Sequence, residues 1–158
     1  VGRTIELYSC IFNSVVFMIY QLVRNGFDSA EIIKVYCSLV RPTLEYASPV
    51  WHCGLTQVLS DEIEVVQRRC LRIIFPFLSY GDALQVAALE TLSARRESAV
   101  VKLFSEIKNE GHVLHNLLPV RLHNAGVSVR SFYPYVIPKA KTSRRLCSLI
   151  SYCISRRL

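Results

Sequence analysis

The sequence predicts a mainly α protein: a bundle of about five helices with a basic, partly extended C-terminal tail. Three observations carry this prediction. Apolar side chains recur at helical spacing between Ile5 and Ile107. Capping residues and stop signals punctuate that run. After Gly111 the spacing gives way to a stretch rich in Val, Phe and Tyr, interrupted by Pro134 and Pro138.

The first helix runs from Ile5 to Arg24 and stops at Asn25-Gly26, a usual C-terminal signal. Asp28-Ser29-Ala30-Glu31 has the capping-box pattern, with a side chain able to cap and a Glu three residues on to reach back. The second helix follows, with Ile32, Val35, Tyr36, Leu39 and Val40 along one face. Pro42 should kink or break it, leaving a short segment from Thr43 to Ala47 that ends near Pro49. Ser60, Asp61 and Glu62 open the third helix, where acids suit the helix dipole. Its apolar face is Ile63, Val66, Cys70, Ile73 and Ile74. Gln67, Arg68 and Arg72 fall on the other side, with Glu64 four residues before Arg68 as a local pair. Pro76 stops it. Ser79 to Asp82 starts a shorter helix through Leu89. The fifth helix begins after Ser93, with Leu92, Arg96, Val100, Leu103 and Ile107 as one stripe, and ends at Asn109-Glu110-Gly111. Leu114, Leu117 and Leu118 offer one more turn before Pro119. Val127 to Val136 reads as extended, and Ser148 to Ile154 as a short helix or strand.

Charge divides the chain in the same place. Residues 1–110 carry 11 Lys/Arg against 12 Asp/Glu, a net of −1, whereas residues 111–158 carry eight Lys/Arg and no acid, a net of +8. The expected organisation is a helical body over 1–111 and a basic extension over 112–158. Hydrophobic residues make up 51% of the chain and charged residues 20%, enough apolar material for a core and against wholesale disorder. A neutral body with a basic tail favours polyanions, because Lys and Arg displace counterions from phosphates.

Cys10, Cys37 and Cys70 fall on apolar helical stretches and read as small buried hydrophobes. No secretory signal opens the chain, so the six cysteines imply no disulfide framework. The expected setting is a reduced intracellular compartment, nucleus or cytoplasm. The most apolar run, Ile11 to Val23, is 13 residues and contains Asn13, Ser14 and Gln21. A bilayer needs about 20, so the run reads as a buried helix with no membrane contact.

Several chemistries lack their residues. Polymerases bring two or three carboxylates to two metal ions about 4 Å apart. Here Asp28, Asp61 and Asp82 each stand where a helix cap is expected. Cys147 and Cys153 have no matching second pair, and His112, His115 and His123 have no spacing that forces a metal site. Gly26, Gly54, Gly81, Gly111 and Gly126 are isolated, so no phosphate loop forms. What remains is positive charge near aromatics. Arg68, Arg69 and Arg72 lie within about one and a half turns of helix. Arg130, Phe132, Tyr133, Tyr135, Lys139 and Lys141 interleave stacking and phosphate-seeking groups. The same pattern suits aromatics packed inward with solvated bases.

Val35-Tyr36-Cys37-Ser38-Leu39-Val40-Arg41-Pro42-Thr43-Leu44-Glu45-Tyr46-Ala47-Ser48-Pro49-Val50-Trp51 closely resembles the "VYxSxIRPxLEYAxxVW" stretch of non-LTR (LINE-type, jockey-like) retrotransposon reverse transcriptases. Asp61 to Arg69 resembles that family's "IExVQRR" helix. Ser79-Tyr80, Ala83-Leu84, Leu89 to Leu92 and Arg95-Arg96 are similar to "SYxxAL…LxxLxxRR". Ile137-Pro138-Lys139, Thr142, Arg144 and Ser148 are similar to the terminal "PxxxTxRxxxSF" element, with Leu149 in place of Phe and Ser151 where Pro is frequent. The likeness covers about residues 16–154.

The resemblance implies a thumb-like helical bundle over 1–111 and a C-terminal extension, the region that follows the fingers and palm. The family's palm motif with paired aspartates has no counterpart here, nor does its upstream endonuclease. The expected role is therefore that of a non-catalytic C-terminal fragment of an RNA-directed DNA polymerase. No cofactor is expected in this chain; Mg2+ is implied only for the parent polymerase. The implied partners are RNA or RNA–DNA hybrid and the missing palm and fingers. Candidate backbone contacts are Arg68, Arg69, Arg72, Arg130, Lys139, Lys141, Arg144 and Arg145. Arg41, Pro42, Glu45, Tyr46 and Trp51 read as a structural corner, with Arg41 and Glu45 paired across the proline bend and the two aromatics as core anchors. The alternative is a helical protein-interaction module, or a retroelement remnant with no selected function.

Overall fold

In a computed structural model, helix follows helix as the spacing predicts, and the mainly α class holds. The structure describes residues 14–119, 135, 142 and 146–156. The predicted extended stretch from Val127 to Val136 lies outside these apart from Tyr135, as does the start of the first helix.

Helix α1 covers residues 14–24. Gly26, at φ 79°, ends it in the left-handed conformation that glycine adopts without strain. Its N–H bonds the Val23 carbonyl, and the Phe27 N–H reaches back to Leu22, the paired bonds of a Schellman stop. The Asp28 capping box forms as predicted. The Asp28 carboxylate accepts from Ala30 N at 3.2 Å, and Glu31 accepts from Asp28 N at 3.4 Å. Helix α2 is Ser29–Val35.

Pro42 does not break the second helix. A π segment, Tyr36–Val40, continues α2 directly into α3, Arg41–Glu45. The Arg41 N–H bonds the Tyr36 carbonyl five residues back. A wider turn eases the clash between a proline ring and the carbonyl four residues before it. The Thr43 hydroxyl donates to the Leu39 carbonyl at 2.9 Å, binding the turns on either side of the proline. The chain leaves α3 at Tyr46, φ −53° and ψ 126°, and turns at Ala47, φ 51°. Pro49 stands in the first turn of α4, Ser48–Trp51, where its missing N–H costs nothing. A 3₁₀ turn, His52–Gly54, follows.

Helix α5, Gln57–Ile74, starts a turn earlier than predicted, because Thr56 caps it by accepting from Leu59 N. Ser60 is buried within the helix, and Asp61 is no cap but accepts from the Gln57 amide at 2.8 Å. Helix α6, Tyr80–Val86, is capped by Ser79. It ends in a second Schellman stop, from Ala88 N to Gln85 O and Leu89 N to Leu84 O, with Ala88 at φ 51°. Helix α7, Leu92–Ile107, begins earlier than Ser93 because the Thr91 hydroxyl accepts from Ala94 N. A 3₁₀ turn at His115–Leu117 and helix α8, Leu149–Ser155, complete the described elements.

Contacts gather these elements into two compact units: Val1–Tyr46 with Thr56–Arg95, and Ala47–Leu55 with Arg96–Leu158. The first packs Ile19, Ile32, Tyr36, Val40, Val66, Cys70, Leu71, Ile74 and Ala83. Each fully buried aliphatic of this kind contributes roughly 1.5–3 kcal/mol. The second packs Cys53, Val100, Phe104, Tyr135, Cys153 and Ile154. These boundaries follow contacts, whereas the division near residue 111 followed charge. Among the described residues no helix is long and apolar enough to cross a membrane.

Ala88 gives a direct test of the second Schellman stop. An L-residue in the left-handed region costs about 1 kcal/mol that glycine escapes. Ala88→Gly should therefore raise stability by about 0.5–1 kcal/mol in urea denaturation, and a loss would contradict this backbone geometry.

Candidate nucleic-acid interface

Two faces of α5 define this region. The inner face is Ser60, Glu64, Gln67, Leu71 and Ile74, all buried at spacings of three and four. Gln67 is 0% exposed, where the sequence pattern had put it on the solvent side. Its amide makes three bonds: it accepts from Tyr36 Oη at 2.7 Å and donates to Tyr80 Oη at 3.0 Å and the Glu90 carbonyl at 2.9 Å. Glu64 does not pair with Arg68. Its carboxylate accepts from Leu92 N at 3.2 Å, from Ser93 N at 3.3 Å and from the Tyr80 hydroxyl. Leu92 and Ser93 open α7, so a side chain of α5 caps another helix and meets its positive end. Burial pushes the hydroxyls of Tyr36 and Tyr80 well above the usual tyrosine range, and the bond to Glu64 adds to the rise at Tyr80. Both therefore remain donors.

This clamp was missed because a polarity count sends Glu and Gln outward. The signal was present, since residues 60, 64, 67, 71 and 74 share one face at helical spacing.

The outer face presents Arg68, Arg69 and Arg72, all exposed. The Arg68 guanidinium lies 5.1 Å from the centroid of the Tyr80 ring, a cation–π contact between α5 and the start of α6. Residues 75–79 join these helices. Phe77, in the middle of that loop, is 98% exposed.

Of the predicted corner, Glu45 takes a different partner. Arg95 Nε and Nη2 reach its two carboxylate oxygens at 2.6 and 3.1 Å, a bidentate fork. This fork stands in place of the expected Arg41–Glu45 pair. The bond to Glu45 raises the Arg95 pKa further. Arg41 is half-buried and Pro42 exposed. Tyr46 is 80% exposed and anchors no core. Trp51 is half-buried, with the buried Arg96 guanidinium 5.8 Å from its ring centroid.

In the second unit α8 packs beside α4. Tyr152 meets His52 edge-on at 6.3 Å, and Arg156 lies 4.7 Å above the Tyr152 ring. Arg156 also pairs with Glu97 at 3.0 Å, an exposed pair that adds little. Burial, then the nearby Arg96, lowers the His52 pKa. Burial pushes the thiols of Cys53 and Cys70 up to about 11 and that of Cys153 up to about 12, so none is a nucleophile near neutrality. Cys37 is half-buried, and Cys10 lies outside the described residues.

Of the three aspartates, Asp28 caps α2, Asp61 bonds Gln57, and Asp82 accepts from the Ser79 hydroxyl at 2.6 Å. Among the described residues no three of His, Cys, Asp and Glu form a metal-holding group. Arg130, Lys139, Lys141, Arg144 and Arg145 lie outside the described residues. Comparison with protein-family models, with curated proteins and with solved structures finds no match to this chain.

Proposed function

We propose that this chain is the non-catalytic C-terminal, thumb and post-thumb part of a non-LTR retrotransposon reverse transcriptase, and that it contacts the backbone of template RNA or an RNA–DNA hybrid. The observation that carries the reading is the outer face of α5. Three exposed arginines stand on a helix that the Glu64–Gln67 clamp locks in place. A rigid element with clustered arginines positions a phosphate backbone and reads no sequence from it. The charge of +8 on residues 111–158 and the motif likeness point the same way.

Fluorescence anisotropy with an RNA–DNA hybrid tests this. The full chain should bind with little sequence preference and weaken steeply with salt. The double variant Arg68→Gln/Arg72→Gln should weaken binding uniformly across sequences and lower the salt slope by about two. No retention of hybrid by the wild-type chain at low salt would reject the reading. The palm and fingers supply catalysis in this scheme, so any template-dependent primer extension by the chain alone, with a magnesium or manganese salt, would also overturn it.

One observation favours a protein-docking role as the second reading. Phe17, Tyr20 and Phe27 are exposed on and just after α1, an apolar stripe that suits a surface built to meet another part of a polymerase. Light scattering that finds a monomer, together with no uptake of a hydrophobic dye, would count against it.

A further inference from the structure

We propose that Phe77 is a base-stacking residue, so that the ligand of the α5 face carries an unpaired base beside its duplex. The inference rests on the nucleic-acid reading above and narrows its substrate class from hybrid in general to hybrid with a single-stranded extension.

Phe77 presents its whole ring to solvent at 98% exposure. Burying such a ring is worth roughly 1.5–3 kcal/mol, which this fold forgoes at a loop tip where a polar residue fits as well. Phe77 lies close along the chain to the arginines of α5. The loop that carries it starts three residues after Arg72 and ends just before Tyr80, whose ring sits 5.1 Å from the Arg68 guanidinium. Chain length alone keeps the Cα atoms of Arg72 and Phe77 within about 18 Å. The Leu78 N–H bonds the Phe75 carbonyl at 3.3 Å, which closes the loop into a turn and narrows what the tip can sample.

An exposed aromatic next to a cluster of arginines is an arrangement that holds single-stranded nucleic acid: the arginines follow phosphates while the ring meets the π-face of any base. Inside a duplex every base is already stacked on both faces, so away from blunt ends Phe77 gains from the ligand where a strand leaves the helix. Stacking of this kind tolerates every base, in keeping with the lack of sequence reading expected of the arginines.

The test uses the full chain and two probes: a blunt RNA–DNA hybrid, and the same hybrid with a four-nucleotide single-stranded extension containing 2-aminopurine. The wild-type chain should prefer the extended probe by about five-fold to a hundred-fold, and the 2-aminopurine emission should quench on binding. Phe77→Ala should abolish both the preference and the quenching while leaving affinity for the blunt hybrid unchanged. Phe77→Trp should keep both. A side chain this exposed makes no packing contribution, so thermal melting of Phe77→Ala should match the wild type. Equal binding of the two probes by the wild type, or an intact preference in Phe77→Ala, overturns the proposal and leaves the backbone-contact reading standing. Failure of the wild type to bind either probe removes that reading and this proposal together.

Discussion

Replacing Glu64 by alanine should cost about 3–5 kcal/mol of folding stability, measured by urea denaturation of the full chain. The carboxylate is buried and accepts from three donors, the Tyr80 hydroxyl and the N–H groups of Leu92 and Ser93. Those N–H groups open a helix and have no intrahelical acceptor. Alanine removes the acceptor from all three: the buried Leu92 N–H left unpaired costs about 1–3 kcal/mol, and the part-buried Ser93 N–H and Tyr80 hydroxyl cost less each. It also removes a negative charge from the positive end of α7, worth a further 0.3–1 kcal/mol or about that. Glu64→Gln retains one acceptor oxygen but turns an NH2 toward a second donor, so about 1–2 kcal/mol should be lost. A loss below about 1 kcal/mol for Glu64→Ala would mean that water replaces the carboxylate, and the clamp would not hold the helices as described.

Phe104→Ala should produce a loss of similar size, about 3–5 kcal/mol, from a different cause. Phe104 is buried in the second core among Cys53, Val100, Tyr135, Cys153 and Ile154. Truncation removes transfer free energy and leaves a cavity that close-packed neighbours fill only in part. Phe104→Leu keeps most of the volume and should lose no more than about 1.5 kcal/mol. The Lys108 ammonium lies 4.7 Å from the Phe104 ring centroid, a partly exposed contact that adds little to either figure. A drop below about 1 kcal/mol in Phe104→Ala would show the second core to be poorly packed.

Local signals made most of the fold readable. Gly26 and the Asp28–Glu31 box act through neighbours in sequence, so their spacing alone predicted where α1 stops and α2 starts. The stripe Leu92, Arg96, Val100 and Ile107 was also visible, buried arginine included, although Phe104 takes the place assigned to Leu103. Three misreadings share one cause. Glu64, Gln67 and Glu45 find partners 28, 31 and 50 residues away, and no local rule brings such residues together. Polarity placed Glu64 and Gln67 in water and a local rule gave Glu45 to Arg41; reciprocal hydrogen bonding with distant partners decided otherwise. At Pro42 the breaking rule failed because one irregular turn lies just before it. The arginines of α5 were readable as an exposed group, since the apolar spacing left them no other side. Phe77 was not, because an aromatic in a short loop gives no sign of which way it faces.

The π segment at Tyr36–Val40 holds one residue more than regular winding needs. Each residue of an α-helix advances the azimuth by about 100°. Winding the same residues as a regular α-helix would swing everything from Arg41 to Glu45 around the axis by roughly that amount. Glu45 would then face away from Arg95, and the fork joining residues 50 apart would open. The irregularity thus works as a phase setting, aiming a distant carboxylate that an ideal helix of the same composition would misdirect.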